Sequence, residues 1–316
     1  MKKLIIGKND AGKRADKFVS QAVKKLPVSL MQKYFRLKRI KVNGKAAKHE
    51  QILNEGDVLE LYINDEFFEG EKENEFLSLD GKVKIVYEDE NIILADKPFG
   101  LIVHSDVGET RNTLINQIKA YLYKKGEYDP EKEQSFAPAL CNRLDRNTGG
   151  IVIAAKNAEA LRILNEVIKE KDIGKFYMLR VAGVMERRSG EFKSYLLKDE
   201  KTNTVKAYKS PVKGAKTAIT KYKTVKVLQD GSSIVEAELL TGRTHQIRVQ
   251  FASRKHPLAG DGKYGSRIKC NVSLHAAVLA LKEKEGEKRF FYEPSEGYIR
   301  DNFEEEILRS VKDLSL

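Results

Sequence analysis

The segment at residues 142–150, NRLDRNTGG, carries the side chains most able to do chemistry. It places one carboxylate, Asp145, between Arg143 and Arg146, just ahead of an apolar run at residues 151–155. Guanidinium groups favour the ionised form of a neighbouring carboxylate, and they also bind phosphate. An anionic side chain in a turn at the mouth of a strand suits nucleophilic or electrostatic work on a nucleic acid. Taken alone, the segment fits a structural Asp–Arg turn at least as well, because such ion pairs are common.

Three other segments combine polar residues with strand-like apolar ones. Residues 174–181 read GKFYMLRV, and residues 239–252 read LLTGRTHQIRVQFA. Residues 87–104 read YEDENIILADKPFGLIVH, where Pro and Gly indicate a loop whose lysine, Lys97, is expected to be solvated. In this order and at this spacing, the four segments are similar to those of the RluA-type RNA pseudouridine synthases. The resemblance covers about residues 83–280.

The resemblance implies a reaction and assigns roles to four residues. Members of the family detach a uridine base from its sugar, rotate it and rejoin it through carbon five, with no net oxidation and no cofactor. Asp145 matches the catalytic carboxylate, and whether it attacks the sugar or the base, or stabilises an intermediate, stays open. Tyr177 matches the active-site tyrosine, which can stack on the base and handle a proton. Arg243 matches the arginine that pairs with the carboxylate, and Ile247 the aliphatic residue beneath the tyrosine.

The remaining polar residues of these segments are expected to support the site or to contact RNA. His245 fits a hydrogen-bonded structural histidine better than a catalytic one, because the family's chemistry is assigned to the carboxylate. Asn142 stands where many members have His, and Gly149 where many have Ser, so substrate positioning differs in detail. Contacts to RNA phosphate are predicted for Arg143, Arg146 and Arg248. Arg248 is also the second candidate, after Arg243, for the arginine that pairs with Asp145, although a phosphate or structural contact fits it better.

Charge and cysteine content narrow the class of protein. The 316-residue chain has a net charge of +12, and residues 1–64 hold 15 Lys and Arg against 6 Asp and Glu. A localised basic surface is typical of proteins that bind polyanions, although a merely soluble surface is the alternative. Two cysteines, Cys141 and Cys270, and 5 histidines show no metal spacing, so we expect reduced thiols and no metal. No apolar run approaches the ~20 residues of a membrane helix, so we expect a cytoplasmic protein.

Residues 1–64 predict a small RNA-binding domain. Apolar spacing indicates a helix from Arg14 that Pro27 ends, and a second helix at residues 30–37. Asn43 and Gly44 then predict a hairpin turn. Two short helices, a basic edge and a hairpin resemble the RNA-binding domain named after ribosomal small-subunit protein four. RNA contacts are predicted there for Lys33, Arg36, Lys38, Arg39 and Lys41.

An acidic stretch at residues 65–80 is typical of a flexible linker, and a larger domain is expected at residues 81–316. Within it, helices are predicted at residues 113–123, 158–171 and 275–283, and strands at residues 83–87, 92–95, 176–181, 218–227 and 233–240. Because several strands follow one another directly, we expect the α+β class: the pseudouridine synthase fold with a mostly antiparallel mixed sheet.

The sequence therefore predicts a cytoplasmic, monomeric RNA pseudouridine synthase, with 23S ribosomal RNA as its expected substrate. Transfer RNA is the alternative substrate. A non-catalytic RNA-binding protein on the same fold is the alternative of a different class, and retention of Asp145 argues against it. A glycoside hydrolase is disfavoured because no second carboxylate lies in a motif beside Asp145.

Overall fold

The computed structural model describes residues 1–68, 74–170, 173–283 and 286–291. These residues build two separate β-sheets, each with its own buried core. The smaller sheet uses β1–β4 and the larger uses β5–β15. Within the described ranges, no helix is long and apolar enough to cross a membrane.

The N-terminal unit, residues 1–68, is a four-stranded sheet in the order β1-β4-β2-β3 that packs against two helices. The helices form because their apolar residues recur at helical spacing, which turns Phe18 and Phe35 into the same core as Leu61. Asn43 and Gly44 both adopt positive φ, as the predicted hairpin turn requires. The elements are β1 (Lys2–Ile5), α1 (Ala15–Ala22), α2 (Val28–Arg36), β2 (Ile40–Val42), β3 (Lys45–Ala46) and β4 (Val58–Leu61).

The larger sheet has eleven strands among the described residues, in the order β11-β10-β12-β13-β9-β14-β8-β6-β5, with β15 on β14 and β7 on β8. All its pairings are antiparallel except that of β14 with β8. The strands are β5 (Lys84–Glu88), β6 (Ile92–Lys97), β7 (Ala139–Leu140), β8 (Gly149–Ala155), β9 (Ile173–Val181), β10 (Ser189–Asp199), β11 (Thr204–Tyr208), β12 (Lys216–Val227), β13 (Ser233–Leu239), β14 (Leu274–Glu283) and β15 (Gly286–Phe291).

Three helices cover this sheet and bury its two faces. They are α3 (Leu114–Lys124), α4 (Ala158–Lys169) and α5 (Gln246–Ala252). The Thr113 side chain accepts from the N–H of Asn116 at the start of α3, and the Asn157 side chain accepts from Ala160 at the start of α4. Phe251 on α5 lies in the main core with Ile118 of α3, while α4 packs on the opposite face of β8. The predicted α+β class with a mostly antiparallel mixed sheet is confirmed.

The predicted helix at residues 275–283 is wrong, because these residues form β14, the strand between β9 and β8. The run HAAVLALKE has helix-favouring alanines and leucines, but a short apolar run also fits a strand buried in the middle of a sheet. Tertiary pairing overrides the local preference here.

The predicted acidic linker is only partly separate from the larger core. Residues 69–73 lie outside the described residues, and a 3₁₀ turn spans Glu75–Ser78. Phe76 in that turn is 4% exposed and packs against the rings of Tyr123 and Tyr128. Phe76 therefore belongs to the core of the larger unit, so the end of the acidic stretch packs against that unit.

Gly150 gives a direct test of how β8 and β14 meet. Its φ is +112°, and an added Cβ would lie 2.4 Å from the carbonyl oxygen of Ala276 on β14. We expect Gly150→Ala to lower the free energy of unfolding by at least about 2 kcal/mol, because both the conformation and the space favour glycine. Denaturant unfolding measures this. Gly262→Ala is the control, since nothing lies within 4 Å of its added Cβ. Equal unfolding midpoints would contradict the close strand contact.

Candidate active site

The turn that carries Asp145 lies between β7 and β8 and is held from both sides. Asn142 binds β8 with its amide, which accepts from the N–H of Ile153 at 2.8 Å. The carbonyl of Asp145 accepts from the N–H of Thr148 at 3.0 Å and closes the turn. The Asp145 side chain is 32% exposed, so its carboxylate is supported by the protein and open to a substrate.

Lys97, at the end of β6, holds the same turn through hydrogen bonds to backbone carbonyls. It is fully buried, and its Nζ donates to the carbonyl oxygens of Pro98, Leu101 and Arg146 at 2.9, 2.7 and 3.0 Å. Burial lowers the pKa of Lys97 to about 8, and the negative charge of Asp145 partly opposes that shift. The expectation of a solvated loop lysine is wrong, because three backbone carbonyls replace water around this ammonium group.

Arg248 on α5 connects Asp145 to a second, buried carboxylate. Its Nε and Nη2 donate to the two oxygens of Asp261 at 2.7 and 2.8 Å, a bidentate pair that fixes the guanidinium plane. Its Nη1 lies 3.5 Å from Oδ2 of Asp145. Asp261 is 1% exposed and Arg248 is 6% exposed. Both carboxylates raise the pKa of Arg248 against the opposing effect of burial, so a permanent cation faces Asp145.

His245 lies on the other side of the same carboxylate oxygen. Its Nε2 is 3.7 Å from Oδ2 of Asp145, and its Nδ1 is 2.6 Å from the hydroxyl of Tyr264. The hydroxyl of Tyr264 accepts from the N–H of Val205, which favours donation of its own proton to Nδ1. Burial lowers the pKa of His245, so the ring is neutral near pH 7. The backbone of His245 is left-handed, with φ +52°, and α5 begins at the next residue.

Tyr177 on β9 forms the apolar side of the site. It is 8% exposed and belongs to the same buried cluster as Leu144 and Ile247. Burial, together with the charge of Asp145, raises the pKa of Tyr177 well above its usual range. The phenol is therefore neutral, and it can stack or donate a hydrogen bond but is a poor base.

The structure brings Asp145, Tyr177, His245 and Ile247 together but separates Arg243 from them. Arg243 is exposed, and its Nε donates to the carbonyl of Thr217 at 3.0 Å. Among the described residues, the arginine that faces Asp145 is Arg248. The predicted Asp145–Arg243 pair is therefore wrong in this structure. Of the alternatives for Arg248, the structure shows the structural contact rather than a phosphate contact, because the side chain is buried on Asp261.

The other predicted RNA contacts stay at the surface. Arg143 is exposed beside Asp145, and Arg146 is exposed with its Nη2 3.0 Å from Oδ2 of Asp106. Of the five RNA contacts predicted in the N-terminal unit, four side chains are exposed and one is half-buried: Lys33, Arg36, Lys38, Arg39 and, half-buried, Lys41. Arg39 lies over the ring of Tyr34 and Lys41 over that of Tyr62, at 5.5 and 5.1 Å.

Sequence reasoning missed Asp261, Tyr264 and the buried role of Lys97. Asp261 and Tyr264 lie in a Gly-rich loop, residues 260–265, that matches none of the four segments. A signal was present, since an Asp between two glycines often marks a fixed turn. In the part of the chain that the structure describes, no three His, Cys, Asp or Glu side chains cluster as metal ligands would.

Comparison of the whole architecture with solved structures shows the fold. The human RNA Pseudouridylate Synthase Domain Containing 4 protein superposes with a TM-score of 0.56 at 19% identity, over 71% of this chain and 93% of that one. Human RNA Pseudouridylate Synthase Domain Containing 1 gives a TM-score of 0.54 at 21% identity, over 67% of this chain and 83% of that one. These likenesses show the pseudouridine synthase fold.

Sequence comparison gives the family. The pattern of the RNA pseudouridylate synthase family matches residues 91–253. A Mycoplasma capricolum protein named as an uncharacterized RNA pseudouridine synthase is 31% identical over 92% of this chain and 95% of its own length. The ribosomal large subunit pseudouridine synthase C of Vibrio cholerae is 30% identical over 93% of both chains. The chain belongs to the RluA-type RNA pseudouridine synthase family.

An experiment can distinguish the roles of Arg243 and Arg248 in the reaction. We expect Arg248→Lys to slow pseudouridine formation at least about 100-fold, because an ammonium group cannot hold Asp261 in two places and still face Asp145. Arg243→Lys is the matched control and should lose less than about tenfold, since it keeps the surface charge. Single-turnover assays on a uridine-containing stem-loop measure both. A slower Arg243→Lys than Arg248→Lys would reverse the assignment.

Proposed function

We propose that this enzyme converts specific uridines of 23S ribosomal RNA to pseudouridine through Asp145. The observation that carries the proposal is the half-open carboxylate of Asp145, which Arg248 and His245 face at 3.5 and 3.7 Å. The reaction breaks the N1–C1′ bond and makes a C5–C1′ bond, so one proton leaves carbon five and N1 gains one. A carboxylate kept next to a fixed cation is suited to act at the sugar or base of an extruded nucleotide.

Each neighbour of Asp145 has a distinct part in this proposal. Arg248 orients the carboxylate and holds negative charge at the site, while Lys97 keeps the turn that carries it in place. Tyr177 offers a neutral ring on which the target base stacks. Because a neutral phenol is a poor base, we assign removal of the carbon-five proton to another group, and Asp145 is the nearest candidate. Arg143, Arg146 and Arg243 are exposed around the carboxylate turn and the end of β13, where they can bind phosphate.

The substrate assignment rests on relatives. Proteins named ribosomal large subunit pseudouridine synthase C, from Vibrio cholerae and from Rickettsia felis, are 30% and 32% identical to this chain. Their names favour large-subunit ribosomal RNA over transfer RNA, which remains the second candidate. We also propose a cytoplasmic location, because bacteria such as those of the named relatives make ribosomal RNA there.

Substitution of the carboxylate tests the central role of Asp145. We expect Asp145→Asn to abolish pseudouridine formation and to leave RNA affinity within a few-fold, because the change keeps the size and removes the charge. Nucleoside analysis of digested 23S RNA after incubation measures turnover, and filter binding measures affinity. Turnover above about one hundredth of the wild-type rate would refute the assignment, since loss of an essential nucleophile costs far more.

We also propose that the N-terminal unit is an RNA-binding domain of the ribosomal-protein-S4 type. Its two helices and small sheet leave Lys33, Arg36 and Lys38 exposed at the end of α2 and in the turn that follows. Lys38 adopts a left-handed φ of +57°, which turns the chain sharply from α2 into β2. The cations of the helix end and the strand are thereby placed on one edge of the unit, as a phosphate-binding surface requires.

Salt dependence tests this surface in the full-length protein. Replacement of Lys33, Arg36 and Lys38 by Gln should reduce the log–log salt slope of binding to 23S RNA by about two to three contacts, because each phosphate contact releases counterions. The control replaces Lys3 and Lys17, which are exposed on β1 and α1, by Gln. An unchanged slope in the triple variant would mean that these cations form a solvated surface only.

A further inference from the structure

The loop between β1 and α1 attaches the N-terminal unit to the larger unit through a polar cluster. The Oδ1 of Asp10 accepts from the hydroxyl of Ser135 and from the Nζ of Lys13, the latter at 3.1 Å. The same Nζ also donates to Oγ of Ser135 at 2.6 Å. Asp10 is 2% exposed, so the contact between the two units excludes water around a charged group. The polar side chains of Asp10, Lys13 and Ser135, which come from two distant parts of the chain, thus hydrogen-bond to one another.

Asn9 extends the contact to two more elements. Its Nδ2 donates to Oε1 of Glu133 at 2.8 Å, and its Oδ1 accepts from the N–H of Ala158 at 3.2 Å. Ala158 is the first residue of α4, and the N–H groups in the first turn of a helix have no partner within that helix. One side chain of the N-terminal unit therefore completes the hydrogen bonding of a helix in the other unit.

Two further hydrogen bonds reach backbone carbonyls of the N-terminal unit, one in the same loop and one at the end of β1. The Nη1 of Arg162 on α4 donates to the carbonyl of Ala11 at 3.3 Å, and the Nε2 of Gln134 donates to the carbonyl of Ile5 at 2.5 Å. Units that meet mainly through polar groups usually move relative to one another. We define the junction as the contacts of residues 5–13 with residues 133–135 and with α4. In this junction, each hydrogen bond joins one particular donor to one particular acceptor.

We propose that the junction holds the N-terminal unit at a fixed distance from Asp145 and so determines which uridine of a long RNA reaches the site. The inference rests on the proposed binding of RNA by the N-terminal unit. A flexible connection of ~10 residues lets its ends wander by roughly 15–20 Å, which spans more than one nucleotide. A docked unit removes that freedom, because RNA held on its basic surface presents one position to Asp145. Asn9, Asp10 and Ser135 are positioning residues in this scheme and do not touch the substrate.

The test changes the junction and leaves both RNA-binding surfaces intact. Asn9→Ala combined with Ser135→Glu removes the hydrogen bond to the N–H of Ala158 and places a second carboxylate against Asp10. The double variant should modify a short stem-loop target at the wild-type rate and bind long RNA with the wild-type salt slope. On long RNA its kcat at the target should fall at least tenfold, with pseudouridine appearing at neighbouring uridines. Ser135→Thr keeps the hydroxyl and should retain wild-type target choice.

The outcomes separate this inference from the proposed function. Wild-type rate and target choice by the double variant on long RNA would overturn the inference. Arg162→Ala with Gln134→Ala, two side chains outside the buried core, repeats the test if the first pair fails to fold. Absence of pseudouridine with the wild-type enzyme would instead overturn the proposed function. An unchanged salt slope in the Lys33, Arg36 and Lys38 variant would overturn RNA binding by the N-terminal unit, on which the inference rests.

Discussion

The buried guanidinium of Arg248 is the group on which the site depends. It is shared between Asp261, which holds it in two places, and Asp145, which it faces with its remaining nitrogen. A buried ion pair of this kind contributes little net stability, because desolvation of the charges offsets their attraction. What it provides is direction: Asp261 fixes the plane of the cation, and the cation fixes where negative charge is stabilised. Removal of Arg248 or of Asp261 leaves the other as an uncompensated buried charge, and either change also removes the fixed cation that faces Asp145.

The backbone explains why Arg248 and not Arg243 has this role. His245 adopts a left-handed conformation, and the helix that begins at Gln246 turns Ile247 and Phe251 into the core, four residues apart. His245 lies just before the helix and Arg248 in its first turn, and both side chains face Asp145. Arg243 precedes the left-handed residue and stays at the surface. A strained residue at the site thus separates two arginines that are equivalent by sequence alone.

Much of the fold could be predicted from the sequence, and the limits have physical causes. The helices α3 and α4 have clear apolar spacing and polar caps at Thr113 and Asn157, so their bounds were close to those predicted. The helix α5 is only seven residues long and lies in a motif read for its chemistry, and it was missed. The residues of β14 predict a helix when read locally, because their position between two strands is a property of the whole sheet.

The candidate site also contains some residues that the sequence predicts and others that it does not. Asp145, Tyr177 and Ile247 were predicted from short segments, and the structure brings them together. Asp261 and the buried ammonium of Lys97 could not be predicted, because their importance comes from partners distant along the chain. Local spacing gives the type of residue, whereas burial and pairing depend on the assembled sheet.

The position of β14 affects when the enzyme can assemble during synthesis. β8, which follows the Asp145 turn, and β9, which carries Tyr177, are consecutive strands in the chain but not neighbours in the sheet. Leu274–Ala276 lie between them, pairing with Gly149 and Gly150 on one side and with Tyr177 on the other. A ribosome must therefore have synthesised residues 274–276 before the strands on either side of them can be joined. The Asp145 turn and Tyr177, although encoded earlier, acquire their relative positions only after β14 is available.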